Sequence, residues 1–266
     1  MLDSSWPATP QQVMSFIAHL SLSGRAPSTI TLHVAALSYL HKIYSWLDPT
    51  THFLIRKMIE GSRRGRKRKD WRRPITWDVL VNILPNLCLI CVTHYEAVMF
   101  QASFLLAFFG MLRVGEFTVD GTGGTEDMTV LDQDISVFQS SKEAYLLVTI
   151  RFSKTDQYGT STTLKIKRNG LNSSCPVGAM VRYLKMRPVM QGPLFCHANG
   201  SPLTRYQFRA VLRKVLGVSG FEAEKYGTHS SRIGAATTAA IGGATEEQLQ
   251  EMGRWRSSAF KTYVRI

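Results

Sequence analysis

Several short segments of this 266-residue chain carry side chains suited to an anion and to proton transfer. Arg113 and Glu116 stand three residues apart in Met111-Leu-Arg-Val-Gly-Glu116, at the end of a long apolar run. There the carboxylate can brace the guanidinium, although such a pair alone is an ordinary ion pair. Lys154, in Ser153-Lys-Thr-Asp156, falls on the tight link between two strand-like runs, so its ammonium projects from a hairpin tip. Lysines at such tips commonly serve solubility alone. His229 and Arg232 lie one helical turn apart in Thr228-His-Ser-Ser-Arg232, at a predicted helix start where backbone N–H groups also favour anions. An isolated pair at this spacing also arises by chance. Gly253-Arg-Trp-Arg256 leads into Ser257-Ser-Ala-Phe-Lys-Thr-Tyr263, a short helix that brings a phenol back where a packing role is the ordinary one.

The elements that must position these groups fall into two parts. Thr9 and Pro10 supply an N-cap and first helical residue, followed by Val13, Phe16, Ile17 and Leu20 at helical spacing. Pro27 opens a second helix with the expected buried stripe Ala36, Leu37, Leu40, Ile43, Tyr44 and Leu47, closed by Asp48-Pro49, and a shorter third helix carries Phe53, Ile55, Met58 and Ile59. A dense basic run follows: Arg63, Arg64, Arg66, Lys67, Arg68, Lys69, Arg72 and Arg73, with Asp70 its single acid. Like charges this dense favour an extended connector able to neutralise phosphates along a duplex, and a nuclear-import signal or a merely solvated run would read the same.

From Pro74 the pattern is mixed. Thr76 can cap a helix from Trp77, and Glu96 to Phe117 reads as one long buried helix. After the Gly121–Gly124 loop, Ile135–Phe138, Tyr145–Phe152 and Thr160–Lys167 read as strands of a small antiparallel sheet. Cys175-Pro176 starts another helix, and Thr204 caps one whose apolar face is Phe208, Val211, Leu212 and Val215. Its other face carries Arg205, Arg209 and Arg213, a stripe suited to a nucleic-acid groove or to a solvated surface.

Composition narrows the partner. The net charge of +13 points to a polyanion, with nucleic acid ahead of an anionic membrane surface. A hydrophobic content of 44% excludes a wholly disordered basic tail. The first ten residues lack the pattern of a secretory signal, so an intracellular protein is expected. The apolar stretch Ala97–Leu112, interrupted by Gln101 and Ser103, is too short to span a bilayer and reads as a buried helix. Cys88, Cys91, Cys175 and Cys196 make no disulfide framework. Cys88 and Cys91, with Cys196 and His197, could form a zinc site, but their apolar setting favours buried thiols, and no metal is expected.

Taken in order, Arg113, Lys154, His229-x-x-Arg232, Arg254 or Trp255, and Tyr263 resemble the catalytic set of the tyrosine recombinase (phage integrase) family over Pro74–Ile266. The phrase Gly253-Arg-Trp-Arg-Ser-Ser-Ala-Phe-Lys-Thr-Tyr-Val-Arg265 is similar to eukaryotic mobile-element members of the Crypton and DIRS-like kinds. The resemblance implies a mainly α catalytic domain with a small antiparallel β-sheet (α+β) over 75–266, a basic linker at 66–74, and an all-α, SAM-like core-binding domain over 1–65. It further implies that Tyr263 attacks a DNA phosphodiester to form a 3′-phosphotyrosine, Arg113 and Arg232 neutralise the phosphate, Lys154 protonates the leaving 5′-oxygen, and His229 relays the phenolic proton. The partner would be double-stranded DNA, bound by a homo-oligomer without metal or nucleotide cofactor, in the nucleus and not at a membrane. In many members a histidine or tryptophan stands nine residues before the nucleophile. Here that position is Arg254 and Trp255 follows it, so either could fill the sixth role, with Glu116 bracing from behind. A domesticated DNA-binding protein without cleavage activity, and a type IB-like topoisomerase, are the competing expectations.

Overall fold

The computed structural model describes residues 6–64, 71–121, 129–152, 160–170 and 174–265. The chain divides into two compact units, Met1–Asp70 and Trp71–Ile266. Among the described residues no helix is long and apolar enough to cross a membrane.

The first unit holds α1 (Pro10–Leu22), α2 (Pro27–Ile43) and α3 (Phe53–Arg64) around Val13, Ile17, Leu20, Ile30, Val34 and Ile55. Thr9 and Gln12 form the reciprocal cap that starts α1. The buried stripe of α2 differs from the one expected. Ile30, Val34 and His41 face inward with Leu37 packed beside them, whereas Ala36, Ile43, Tyr44 and Leu47 are exposed. The physical reason is His41, which hydropathy scores as polar. Its Nε2 accepts from the Ala8 N–H at 3.1 Å, so Nδ1 carries the proton and donates to the Leu37 carbonyl at 2.8 Å. With both ring nitrogens satisfied, the imidazole sits in the core against Trp6 and Trp46 and rotates the buried face.

The basic run is likewise not one extended connector. Arg63 and Arg64 form the last turn of α3, where cations complement the helix dipole. Arg73 belongs to the second unit: its N–H donates to the Lys225 carbonyl at 2.6 Å, and its guanidinium pairs with Glu222 at 3.3 Å. Arg72 packs at Gly227. Arg66, Lys67, Arg68 and Lys69 lie outside the described residues.

In the second unit, α4 (Trp77–Ile83) and α5 (Leu87–Ile90) lead to α6 (His94–Phe109), capped by Thr93. The expected Thr76 side-chain cap on α4 does not form; the Trp77 N–H donates instead to Thr238 Oγ1 at 3.1 Å. α5 turns Cys88 outward and leaves Cys91 half-buried, so of the thiols expected to be buried only Cys196 is fully so. Burial also pushes the Cys91 thiol up to about 11. Residues Val98 to Phe108 of α6 are buried almost all round, making it the axis of the core. Strands β1 (Ile135–Gln139), β2 (Ala144–Ile150) and β3 (Thr162–Lys167) form an antiparallel sheet in that order, with Ile135 opposite Val148 and Leu146 opposite Ile166. Ala144, Leu146, Val148 and Ile150 alternate inward, and α7 (Pro176–Met186) packs between this sheet and α6.

Three further helices complete the unit: α8 (Arg205–Val218), α9 (Ser230–Ile241) and α10 (Glu246–Gly253). α9 is pinned where it starts. Ile75 N–H donates to the Ser230 carbonyl at 2.9 Å, and a Cβ on Gly234 would stand 1.6 Å from the Ile75 carbonyl oxygen. Only glycine permits this crossing, and the crossing fixes the helix turn that carries Arg232.

Candidate active site

The Arg113 end of the site begins where α6 stops. The helix does not continue to Phe117 as expected. It ends at Phe109, and Gly110 is followed by Met111 at φ 43°, a left-handed conformation in a residue that is buried. A non-glycine residue there costs of order 1 kcal/mol or more, which the surroundings must offset. The reversal aims the Met111 carbonyl at the site, where it accepts hydrogen bonds from Arg232 Nη1 and from Arg254 Nη2, the latter at 3.4 Å.

Arg113 then opens a single 3₁₀ turn, Val114–Glu116. Glu116 folds back on it: Oε2 accepts the Arg113 backbone N–H and Oε1 accepts Arg113 Nη1, both at 2.9 Å. Glu116 Oε2 also accepts from Arg254 Nη2 at 2.8 Å. The carboxylate is buried, which pushes its pKa up. Arg254 first, then the Arg113 backbone and guanidinium, more than reverse this and hold it below the ordinary carboxylate value.

Arg232 sits in the first turn of α9 with 1% of its surface exposed. Its Nη1 donates to the Met111 carbonyl and its Nη2 to the Gly253 carbonyl, so two loops far apart in sequence close on one guanidinium. The Trp255 ring lies 4.5 Å and the Tyr263 ring 5.5 Å from its central carbon. Burial first, and then repulsion from Arg113 and Arg254, push its pKa down to about 10, opposed by Glu116 and Tyr263. It remains a cation at neutral pH.

The third side is the end of α10. A Cβ on Gly253 would stand 1.8 Å from the Trp255 ring, so only glycine lets the indole fold back over the helix end. Arg254 follows at φ 56°, again left-handed, and this turn sends its side chain inward to Glu116. The chain then makes the 3₁₀ turn Ser258–Thr262, capped by Ser257, and delivers Tyr263 with its ring 5.1 Å from that of Trp255. Thr237 of α9 holds this segment, donating to the Tyr263 carbonyl at 3.4 Å and accepting from the Arg265 N–H at 3.0 Å. His229 is half-buried at the N-cap position of α9, with Nδ1 3.4 Å from Thr228 Oγ1.

The structure thus brings Arg113, Glu116, Arg232, Arg254, Trp255 and Tyr263 together, with His229 one turn before Arg232. Lys154 lies outside the described residues. Two guanidiniums, those of Arg113 and Arg254, meet the Glu116 carboxylate with Arg232 beside them, and Arg232 Nε, Arg254 Nε and Nη1, and Trp255 Nε1 are buried donors with no hydrogen-bond partner among the described residues. Unpaired buried donors on cations are costly, and an anion is the ligand that answers them. No three His, Cys, Asp or Glu side chains among the described residues cluster so as to hold a metal. Sequence reasoning missed the Met111 carbonyl, Thr237 and Gly234, and quoted Gly253 without its role. The first leaves no sequence signal, while the glycines are visible as small residues beside the site motifs.

Of the arginine stripe on α8, Arg205, Arg209 and Arg213 are all exposed. Arg205 pairs with Asp120 at 3.1 Å and lies over Gly115, where a Cβ would meet its Nη2 at 2.7 Å, so the stripe begins beside the Arg113 loop.

Known proteins share this architecture. The transposon Tn1549 integrase, solved in complex with circular intermediate DNA, superposes with a TM-score of 0.61 at 14% identity, covering 98% of this chain and 82% of that one. The fold is that of the tyrosine recombinase catalytic domain. The XerH site-specific recombinase bound to difH substrate superposes at 0.52 with 15% identity, covering 81% of this chain and 62% of that one. A lambda integrase dimer bound to a core site gives 0.55 at 12% identity over 97% of this chain and 65% of that one. In sequence, the integrase/recombinase XerD homolog of Selenomonas ruminantium is 24% identical over 249 residues, covering 88% of this chain, which spans 66% of that relative's length. No family model matches the sequence.

Proposed function

We propose that this chain is a DNA strand transferase that cleaves and rejoins a duplex through a 3′-phosphotyrosine. The observation that carries the reading is the convergence of Arg113 and Arg232, distant in the polypeptide, in one buried cationic site beside the Tyr263 ring.

A phosphodiester under attack gathers negative charge on its nonbridging oxygens, and planar, permanently charged forks held in a low-dielectric site stabilise that charge without reorganising. Tyr263 Oη attacks phosphorus, the P–O5′ bond breaks, the phenolic proton passes to His229, and the Lys154 ammonium protonates the departing 5′-oxygen. The phosphotyrosine conserves the bond energy for rejoining, so the cycle calls for no metal or nucleotide. The net charge of +13, the basic run and the α8 stripe supply a surface for the duplex. The Gly253–Arg265 phrase supports a eukaryotic mobile-element origin, the basic run is compatible with a nuclear site of action, and the family resemblance implies a homo-oligomer assembled on DNA.

The test is covalent capture. Duplexes selected from a random-sequence pool by their binding to the protein, then nicked near each candidate scissile position, should trap a DNA–protein adduct with the wild type and none with Tyr263→Phe. Binding without any Tyr263-dependent adduct would replace this reading with that of a DNA-binding protein. Relaxation of supercoils by the monomer would favour a topoisomerase.

A further inference from the structure

We propose that Arg254 is a positioning residue for the phosphate site, keeping the Arg113 guanidinium available to DNA by sharing the Glu116 carboxylate. This rests on the cleavage reading above and concerns the position that the sequence left open between Arg254 and Trp255.

The argument starts from charge. Arg113 is held twice by Glu116, through its backbone N–H and through Nη1. A buried pair of this kind is self-neutralised, and such an arginine offers geometry to a phosphate but little net field. Arg254 changes the balance. Its Nη2 meets Glu116 Oε2 at 2.8 Å, on the oxygen that also accepts the Arg113 backbone N–H, and leaves Oε1 to the Arg113 side chain. With Arg232 close enough to be repelled by both, the cluster holds three cations against one anion. An excess of two positive charges matches a phosphodiester that passes from about one negative charge to about two as it is attacked.

Trp255 has a different part. Its ring covers the Arg232 guanidinium and packs on Tyr263, so it fixes where fork and phenol stand. Arg254 has 10% of its side-chain surface exposed and is anchored through Nη2 to Glu116 and the Met111 carbonyl, so its influence on Arg113 runs through Glu116. The left-handed backbone at Arg254, and the glycine before it that lets Trp255 fold over, place both side chains from adjacent positions.

The experiment compares single-turnover adduct formation on a normal scissile phosphodiester with that on a methylphosphonate, which lacks one negative charge. An effect of charge shrinks on the neutral substrate, whereas a packing defect does not. Arg254→Ala should slow the phosphodiester about 30-fold and the methylphosphonate less than about 3-fold, somewhat under the loss from removing a direct donor. Arg254→Lys, which returns a cation to Glu116, should recover to within about 5-fold of wild type. Arg254→Gln, neutral but able to hydrogen-bond Glu116, should behave as the alanine variant and serves in its place if that variant fails to fold. Equal losses on both substrates, or a lysine variant as slow as the neutral one, overturn the proposal. A wild type that forms no adduct on either substrate overturns the cleavage reading, and this inference with it.

Discussion

The arginines of the second unit fall into two populations with opposite surroundings. Arg113, Arg232 and Arg254 are largely or wholly buried and locked by Glu116 and by backbone carbonyls, while Arg205, Arg209 and Arg213 run exposed along α8. The proposed function gives the same side chain two uses in one domain. In the buried set the orientation is fixed before any ligand arrives and solvent screens little, so each guanidinium acts on a charge that develops nearby. In the exposed set water and salt screen the field, and what remains is release of counterions from a bound polyanion. The first arrangement suits a reaction and the second suits affinity. Arg205, paired with Asp120 beside the Arg113 loop, is where the two populations meet.

The strongest way to break this division is Arg232→Ala. Adduct formation should fall by about 10²-fold or more, the scale of losing one transition-state donor, while DNA affinity changes little. The truncation also leaves the Gly253 carbonyl without its guanidinium donor, at about 1–3 kcal/mol, and the Met111 carbonyl with Arg254 alone, so urea unfolding should register the loss as well. Cleavage rates taken at protein concentrations where the variant is fully folded separate the two effects. Equal falls in affinity and rate would move Arg232 into the affinity population.

Glu116 sharpens the comparison at the next scale. Glu116→Gln removes the one anion among three buried cations, and breaking a buried pair in this way costs about 3 kcal/mol. The pH dependence has a definite sign. Because the folded carboxyl titrates below its ordinary value of 4.5, its stabilisation is complete above that pH and is lost as pH falls through the lower, folded value. The stability gap between wild type and Glu116→Gln should therefore be wide at pH 6 and shrink toward pH 3. A gap independent of pH would mean that the carboxylate charge does not hold the cluster together.

How much of this was legible in the sequence differs between the two units for physical reasons. The motifs that converge on the candidate site could be picked out because the proposed chemistry calls for particular side chains in a particular order, and the caps at Thr9 and Thr204 because they are local. The small sheet was found with its ends shifted by one or two residues at Gln139, Ala144, Ile150 and Thr162. The α2 stripe was misread because His41 is apolar in effect only once Ala8 and Leu37 satisfy it, a fact of tertiary structure. α6 was overextended because the residues after Phe109 remain apolar and helix-compatible, and the break at Met111 is decided by carbonyl acceptors for two distant arginines. Arg254 was visible only as a departure from the family pattern; its bond to Glu116 joins positions 138 residues apart.

The smallest effect, and the one that isolates the exposed population, is a change of salt dependence. Arg209 and Arg213 project from α8 and lie on its exposed face. If each neutralises a phosphate, Arg209→Ala and Arg213→Ala should each reduce the slope of log affinity against log salt by about 0.9, and the double variant by about twice that. Their loss of affinity should be large at low salt and small at high salt, and single-turnover cleavage at saturating protein should stay within about 2-fold of wild type. An unchanged slope would make the α8 stripe a solvated face, leaving the buried cluster and the basic run to account for DNA binding. A changed slope accompanied by slower chemistry would erase the division, because the stripe would then act on the reacting phosphate through Arg205 and the Arg113 loop it covers.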